Sequence, residues 1–289
     1  MQIFVNGLIS GSAIALLAVA FQAAYLPTRV FFVGLAGIYS FAPFLAHAVL
    51  VSGGGWPLAI LLTVGASVGL SLLLEWANHA PLARRQASVG AHLIASLGSY
   101  IVLVQIIAMI WGNDTKTLRT GLDAVTRWGG VVVTGAQWIT FGVAVLLLGG
   151  FGVFLMRSDL GLRLRALADN PTQFALLGYN VDHHRLLAFA LAGLFGATAA
   201  LVTAYDIGFD PHLGLHAVLL AVVAVIIGGQ GSFTGPVLGA VLLGILRAQV
   251  VWHWSARWQE PVTFALLGLV LLLRPQGLLG QKTRLEATP

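Results

Sequence analysis

Histidines and carboxylates are the side chains in this sequence that could hold a metal ion. His212 and His216 stand four residues apart, which puts two imidazoles on one helix face, and Asp210 lies just before them. No other carboxylate joins this group, and no helix carries the paired histidines and intervening acid of a zinc protease. His183 and His184 are adjacent, and we interpret them as part of a solvated loop. The sequence therefore predicts no metal site.

Nucleotide and thiol chemistry find no support either. The only lysines are Lys116 and Lys282, and neither follows a glycine, so the chain has no Walker A loop for ATP phosphates. It has no cysteine and hence no thiol nucleophile. The basic residues are scattered singly between apolar runs, which argues against nucleic-acid binding despite a net charge of +5. We expect a protein that is not an enzyme and binds no cofactor of its own.

A proton relay across a membrane needs ionisable side chains inside the spans. The 10 acidic residues instead fall at the ends of apolar runs or in loops, and the main polar residues near run interiors are His92, Gln105 and Arg247. Arg247 either extends toward the membrane surface or lines a pathway, because a charge within a span is costly. An ion-coupled secondary transporter is therefore the alternative to a transporter that is powered by another subunit.

The composition is that of a membrane protein. Hydrophobic residues make up 58% of the 289 residues and charged residues 9%, against roughly 25% charged in a soluble domain. Apolar runs lie at 7–26, 31–52, 57–76, 91–111, 137–156, 186–205, 213–228, 236–252 and 261–273. Since a span takes about 20 residues, the pattern predicts an all-α, polytopic transmembrane bundle of about eight or nine helices. We expect residues 1–289 to form one domain.

The stretch 213–252 allows two interpretations, because the glycine-rich segment 228–236 interrupts it. Irregular backbone is tolerated within a membrane only where protein or water satisfies its polar groups. The stretch forms either two short spanning helices or a re-entrant hairpin. Both arrangements return the chain to the side that it left.

The segment 157–185 is polar and patterned, and lies between two long apolar runs. Its first part carries leucines at helical spacing with two arginines beside them: Leu160, Leu164, Leu167, Arg163 and Arg165. Asn170 predicts the N-cap of a second short helix, with Pro171 at its first position and Gly178 just past its end. Two short capped helices at one face of a membrane bundle predict a docking surface for a protein in the adjacent aqueous space.

The positions of the cations predict the orientation in the membrane. With 157–185 in the cytoplasm, most cations fall inside: Arg29, Arg84, Arg85, Arg157, Arg163, Arg165, Arg185, Arg274, Lys282 and Arg284. Four fall outside: Lys116, Arg119, Arg127 and Arg257. This bias follows the positive-inside rule. We therefore expect the N-terminus outside and the C-terminus in the cytoplasm.

Glycines recur at intervals of four residues. Gly231, Gly235 and Gly239 form one such series, and Gly7 and Gly11 repeat the spacing in the first apolar run. Small residues at this spacing share one helix face and allow close contact with another helix. That contact lies either within the chain or at an interface with another subunit.

Four blocks of the sequence resemble the integral membrane permeases of branched-chain amino acid ABC importers, the LivH/LivM type, and are closer to LivH. The blocks are GLISGSAIAL (7–16), GLRLRALADNPTQFALLGYNVD (161–182), GFDPHLG (208–214) followed by GGQGSFTGPVLGA (228–240), and LLRPQGL (272–278). Their order and spacing cover most of the chain.

This resemblance implies a permease subunit of a binding-protein-dependent ABC importer that moves branched-chain amino acids, or a related small amino acid or amide, inward. It implies several partners: a second homologous permease, two ATPases that bind ATP and Mg²⁺, a periplasmic substrate-binding protein, and the lipid of a bacterial inner membrane.

The segment 157–185 is similar to the family's coupling loop, whose helices would move with the ATPase. The residues implied to grip the ATPase or shape the loop are Leu160, Arg163, Leu164, Arg165, Leu167, Asp169, Asn170, Pro171 and Gly178. The three leucines would bury in an ATPase groove, with Arg163, Arg165 and Asp169 at its rim. On the opposite side, Asp206, Asp210 and neighbouring loops, with 112–136, are expected to meet the binding protein, and Asp210 before Pro211 is expected to hold a sharp turn.

One stretch departs from the family's pattern. After the first helix the family usually shows an Asn-Phe-Ala-His-Gly-like stretch, where this sequence has VFFVGLAG at 30–37. If that stretch shapes the pathway, the solute is not a branched-chain amino acid.

Overall fold

The computed structural model describes residues 1–119, 121, 123–128 and 130–279 of the chain, so Lys282 and Arg284 of the orientation argument lie outside the described residues. The helices are α1 (Gln2–Thr28), α2 (Leu35–Val51), α3 (Trp56–Leu74), α4 (Ala80–Arg84), α5 (Val89–Trp111), α6 (Gly135–Arg157), α7 (Asp159–Asp169), α8 (Pro171–Leu176), α9 (Val181–Ile207), α10 (Leu213–Gly228), α11 (Gly235–His253) and α12 (Gln259–Leu273). A π-helical turn, Glu75–His79, joins α3 to α4, and a 3₁₀ turn, Ala256–Trp258, precedes α12.

Seven helical stretches in the described part of the chain are long and apolar enough to cross a membrane. They are α1, α5, α6, α9, α11, the continuous stretch Trp56–Arg84 and the stretch Ala256–Leu273, while α2 and α10 are shorter apolar helices. The prediction of an all-α, polytopic membrane bundle is confirmed.

The helix α1 lies at the centre of the bundle, where it packs on α6, α9, α10 and α11. Its run from Ala15 to Ala20 is buried. Lipid tails are as apolar as leucine, so close van der Waals packing, rather than transfer out of water, favours such helix contacts.

Glycines bring α1 and α11 together. A Cβ on Gly7 would lie 2.7 Å from Ile245 Cα, and a Cβ on Gly11 would lie 2.9 Å from Val241 Cα. At these distances the two helices touch backbone to backbone, because no side chain separates them. In this structure both glycines therefore serve packing within the chain.

The second glycine series is split by the start of α11. Gly235 and Gly239 lie within α11 and approach the backbone of Gly228 at the end of α10. Gly231 lies in the exposed turn before α11. The prediction that Gly231 shares a helix face with the other two is wrong, because the helix begins only at Gly235.

The helices α10 and α11 form an antiparallel hairpin whose turn is held from two sides. The buried Gln22 of α1 donates from Nε2 to the carbonyl oxygens of Gln230, at 2.7 Å, and Ser232, at 3.0 Å. The chain after α12 caps the end of α10 with two bonds: Leu278 N to Ile227 O at 2.8 Å and Leu279 N to Gly228 O at 2.9 Å. Protein groups thus satisfy backbone that lipid could not.

A small β-hairpin, which the sequence analysis did not predict, precedes α6. Its strands β1 (Val125–Trp128) and β2 (Val131–Thr134) are antiparallel. Thr134 then caps α6: Thr134 Oγ1 accepts from Gln137 N at 3.3 Å, and Thr134 N donates to Gln137 Oε1 at 3.1 Å. This reciprocal pair is a capping box and fixes where α6 starts.

The helices α6 and α9 define two ends of the bundle. Helix α6 starts at the β-hairpin and ends at the 157–185 segment, and α9 runs back the other way. With 23 and 27 residues, they are about 35 Å and about 40 Å long at a rise of 1.5 Å per residue. We call the end that carries α7 and α8 the docking end. The opposite end, which carries the β-hairpin of β1 and β2, is called the hairpin end.

Candidate coupling surface and cavity

The 157–185 segment folds as its capping residues predict. Asn170 Oδ1 accepts from Gln173 N at 3.0 Å and so caps α8, with Pro171 at the first helical position. Gly178 follows α8 with a φ of +84°, a left-handed conformation that glycine adopts without strain. The predicted pair of short capped helices is confirmed.

The apolar face of α7 packs on its own bundle. Leu164 and Leu167 are fully buried, and α7 contacts α1, α6 and α9. The prediction that these two leucines bury in a groove of a partner is therefore wrong, because helical spacing defines an apolar face but not what covers it. Leu160 stays exposed at the start of α7.

Both ends of α7 are fixed to the bundle. Ser158 Oγ accepts from Gly161 N at 2.9 Å and donates to Phe154 O at 2.7 Å, which ties the start of α7 to the end of α6. A Cβ on Gly161 would collide with the Phe154 carbonyl oxygen. At the other end, Arg29 Nη2 donates to Ala168 O at 3.2 Å. A force on α7 is therefore passed to α6 and to the end of α1.

The outward side of this segment carries apolar side chains among charged ones. Leu176 and Leu177 are 83% and 74% exposed. Arg163 holds its guanidinium 5.0 Å from the centre of the Tyr179 ring, a cation–π contact. We call this surface the coupling face, defined by Leu160, Leu162, Arg163, Asp169, Leu176, Leu177 and Tyr179. Arg165 is half-buried beside it.

The start of α9 anchors α8. The interpretation of His183 and His184 as a solvated loop is wrong, because α9 begins at Val181. His184 is buried, with Nδ1 2.8 Å from the carbonyl oxygen of Asn180 and its ring 4.9 Å from the buried ring of Phe174 in α8. The coupling face is thus attached to α9 as well as to α6.

Glu75 is an ionisable residue within the continuous helical stretch Trp56–Arg84. In the sequence it lies at the end of an apolar run, but the π-helical turn and α9 enclose it, and Arg185 Nε donates to Glu75 Oε1 at 2.7 Å. The buried His79 of the same turn has Nδ1 3.4 Å from Nδ1 of His92 on α5. These polar groups link α3, α5 and α9 near the docking end.

A cavity of about 680 Å³ opens at the hairpin end. Residues of α1, α2, α6, α9, α10, α11 and the start of α12 surround it, and its titratable lining residues are Tyr39, Asp206, Asp210, His216 and Arg247. Aliphatic side chains of α1 and α10, including Ile14, Leu17 and Leu220, complete the wall. Its size is within the usual range of small-molecule sites, roughly 300 to 1,000 Å³.

Arg247 lies in the wall of this cavity. Its Nη1 donates to Glu260 Oε1 at 2.8 Å and to Thr263 Oγ1 at 3.2 Å, and its Nη2 donates to Gln259 Oε1 at 3.4 Å. Its acceptors all belong to α12, so they hold the guanidinium within the bundle. The partner Glu260 lies 13 residues away and could not be identified by helical spacing.

Asp210 caps α10 at the rim of the cavity. Its Oδ1 accepts from His212 N at 2.8 Å and from Leu213 N at 3.2 Å, which makes the sharp turn expected before Pro211. His216 approaches Glu260, with Nε2 3.4 Å from Oε1. The described residues contain no group of three or more His, Asp and Glu side chains that could hold a metal ion.

Asp206, Tyr39 and Ser40 also line the cavity. Asp206 lies at the same end of the bundle as Asp210, but its position near the end of an apolar run gave no signal that it would line a cavity, and nothing in the sequence singled out Tyr39 or Ser40. By contrast, residues 30–37, where the sequence departs from the family's pattern, do not line this cavity. Phe32 and Leu35 are fully buried, and Gly34 N donates to Ser96 Oγ at 2.8 Å. The departure therefore alters core packing rather than the cavity wall.

A helical membrane bundle with a cavity at one end and a pair of short exposed helices at the other has the arrangement of a membrane transport subunit. Comparison with known proteins agrees. The family model described as "Branched-chain amino acid transport system / permease component" matches residues 3–273. This chain belongs to that family.

Curated relatives support the same placement. The chain is 30% identical to the high-affinity branched-chain amino acid transport system permease protein BraD of Pseudomonas aeruginosa, over 97% of this chain and 96% of that protein. It is 28% identical to the corresponding LivH protein of Escherichia coli K12, with the same coverage. It is 30% identical to the autoinducer 2 import system permease protein LsrC of Klebsiella pneumoniae, over 62% of this chain and 54% of that protein.

A solved structure shares the fold. PsaBC from Streptococcus pneumoniae in complex with Fab superposes with a TM-score of 0.52 at 14% identity, over 99% of this chain and 94% of that chain. The chain is thus a multi-pass permease subunit of the bacterial inner membrane and not an enzyme. The family resemblance is confirmed, and none of these comparisons supports an ion-coupled secondary transporter.

Proposed function

We propose that this chain is the permease subunit of an ATP-driven, binding-protein-dependent importer of branched-chain amino acids or a related small amino acid or amide. The names of the relatives support the substrate class. The observation that carries the transport mechanism is the placement of the coupling face and the cavity at opposite ends of α6 and α9. Each of these helices reaches from one to the other.

The partners follow from what the chain lacks and what it exposes. It carries no Walker A loop, so ATP and Mg²⁺ would be bound by two partner ATPases. One ATPase would receive the coupling face, with Leu160, Leu176 and Leu177 as apolar anchors and Arg163, Arg165 and Asp169 at the rim. A second homologous permease would complete the pathway, and a periplasmic binding protein would deliver the solute at the hairpin end.

The mechanism couples two distant movements through rigid elements. Closure of the ATPases would displace α8 and α7, whose ends are fixed to α6, α9 and α1 by Ser158, Phe174 and Arg29. Because α6 and α9 also form part of the cavity wall, a tilt of these helices would open or close it. Alternating access would then rest on rigid-body movement between two states.

We propose that the docking end faces the cytoplasm, because most of the described Lys and Arg residues lie at that end. The natural chain has no cysteine, so single cysteines report the side directly. A membrane-impermeant maleimide should label Arg257→Cys in spheroplasts, and should label Arg85→Cys only after the membrane is opened. The reverse pattern would invert the proposed topology.

The coupling role is tested by charge reversal on the coupling face. Arg163→Glu should reduce solute uptake at least tenfold while ATP hydrolysis no longer responds to the binding protein, with normal insertion of the permease. Arg85→Glu is the matched control, because it makes the same charge change at an exposed site outside the coupling face. Unchanged coupling in Arg163→Glu, or equal loss in both variants, would refute the assignment.

A further inference from the structure

The charges around the cavity are arranged on separate walls. Arg247 belongs to α11, whereas Asp206 lies on α9 and Asp210 on the loop that follows α9. The guanidinium is fixed by its bonds to α12, and its side chain is only 14% exposed. Its Nε–H and one of its Nη2 N–H groups donate to no acceptor in the described part of the chain, so two donors remain for a ligand.

The acids keep acceptor capacity for a cation. Asp210 uses Oδ1 to cap α10, which leaves its Oδ2 as an acceptor. Asp206 makes no ion pair within the described residues and is only partly exposed. Carboxylates in such positions favour an ammonium group, because a charge-assisted hydrogen bond is stronger than a neutral one.

Aliphatic and hydroxyl groups occupy the rest of the wall. Ile14 and Leu17 of α1 face the cavity together with Leu220 of α10. Ser40 also lines it, although its Oγ itself is buried. The polar contacts to a ligand therefore come from Arg247, Asp206 and Asp210.

We propose that this cavity binds the transported solute directly, as a zwitterionic amino acid with a small aliphatic side chain. Arg247 receives the carboxylate, Asp206 and Asp210 receive the ammonium group, and the aliphatic wall receives the side chain. This inference rests on the proposed function and names a site for it within a single permease chain.

The charge balance also sets a preference among amino acids. Arg247 already pairs with Glu260, and the charges of these two side chains offset each other. Asp206 and Asp210 therefore leave the surroundings of the cavity with an excess of negative charge. A second carboxylate on the solute would meet like charge in a partly enclosed site, which disfavours it. The cavity therefore prefers neutral zwitterions to glutamate or aspartate.

The test measures binding to the permease complex with its ATPases in nanodiscs, without the soluble binding protein. Saturation-transfer NMR titrations compare leucine, leucinamide, which lacks the carboxylate, and 4-methylpentanoate, which lacks the ammonium group. Both analogues and glutamate should bind at least tenfold more weakly than leucine. Equal binding of leucine and the two analogues would overturn the inference.

Variants assign the two ends of the ligand. Arg247→Gln should weaken leucine binding at least tenfold without weakening leucinamide binding, whereas Asp206→Asn with Asp210→Asn should weaken leucine binding without weakening 4-methylpentanoate binding. Asn keeps the capping oxygen at 210. Glu260→Gln should strengthen the binding of leucine, because it removes a carboxylate that competes for Arg247. Arg257→Gln, at the same end of the bundle, is the control and should leave leucine binding unchanged. If Arg247→Gln weakens the binding of leucine and of leucinamide equally, Arg247 only stabilises the fold of the cavity and the assignment fails.

Uptake by the complete system separates this inference from the proposed function. Wild-type complex with its binding protein should take up leucine in the presence of ATP. If it does, but leucine does not bind the cavity selectively, the proposed function stands and the site assignment falls. If it takes up no branched-chain or related amino acid, both fall.

Discussion

Arg185 Nε lies 2.7 Å from Glu75 Oε1, and the two side chains are only 11% and 2% exposed. Arg185 is the last residue of the 157–185 segment and lies in the first turns of α9, and Glu75 follows α3. The ion pair thus fixes the start of α9 to the neighbouring span. Its burial makes it a structural element rather than a surface contact.

Removing one partner of this pair should destabilise the protein strongly. Glu75→Ala leaves the Arg185 charge buried and unpaired, which costs about 3 to 5 kcal/mol. The expected result is a lower thermal unfolding temperature of the purified permease. The exposed pair of Arg84 and Asp182, 3.5 Å apart, provides the control, since Asp182→Asn should change little. Glu75→Leu combined with Arg185→Leu should recover much of the loss, and a double variant as unstable as Glu75→Ala would contradict this account.

Gly161→Ala should displace the coupling face. The added Cβ would lie 2.7 Å from Leu155 Cα and closer still to the Phe154 carbonyl oxygen, so α7 must move away from α6. We expect a loss of stability of about 1 to 3 kcal/mol, the usual range for overpacking, and reduced ATP-driven uptake. Gly152→Ala in α6 is the control, because nothing lies within 4 Å of its Cβ position. Full uptake in Gly161→Ala would show that the position of α7 does not matter for coupling.

Gly244→Ala should separate α1 from α11. A Cβ on Gly244 would meet the backbone of Gly11 and the carbonyl oxygen of Gly7, neither of which can turn aside. The expected cost is about 1 to 3 kcal/mol, measured as a lower unfolding temperature in lipid nanodiscs. Gly65→Ala in α3 has open space around it and should be neutral or slightly stabilising. Equal stability of the two variants would mean that the contact between α1 and α11 adapts freely.

Acid should loosen the start of α6. Asp123 Oδ2 accepts from Ala136 N at 2.9 Å and lies 2.9 Å from Arg119 Nη1. The backbone hydrogen bond from Ala136, and then the Arg119 charge, hold the pKa of Asp123 below its ordinary value of 3.8. A lowered folded-state pKa stabilises the fold above 3.8, and this contribution is lost as the pH falls through the folded-state pKa.

Hydrogen exchange at the Ala136 amide measures this effect. At pH 7 the wild type should be better protected than Asp123→Asn. The difference should begin to shrink below pH 3.8 and vanish as the pH falls through the lowered pKa of Asp123, once intrinsic rates are corrected. Thr126→Ala on the neighbouring strand should not alter the pH dependence. A difference between wild type and Asp123→Asn that persists at low pH would show that the carboxylate charge is not responsible.

The sequence determined the features that depend on close neighbours along the chain. The caps at Asn170 and Thr134 act on N–H groups three residues later, so residue type and spacing are enough to define them. The apolar runs likewise predicted the membrane helices, because lipid imposes a length and a composition on each span. Family membership followed from blocks of contiguous residues.

Only the tertiary structure decided what each helix face meets. Leu164 and Leu167 have the spacing of an apolar face, but whether a partner or the chain itself covers that face depends on how α7 rotates onto α6. Glu75 and Arg185 are 110 residues apart, and Arg247 meets Glu260 across two helices. Such pairings depend on helix rotation and packing angle, which no local hydrogen bond sets. The cavity arises from the same cause, since seven helices meet around it.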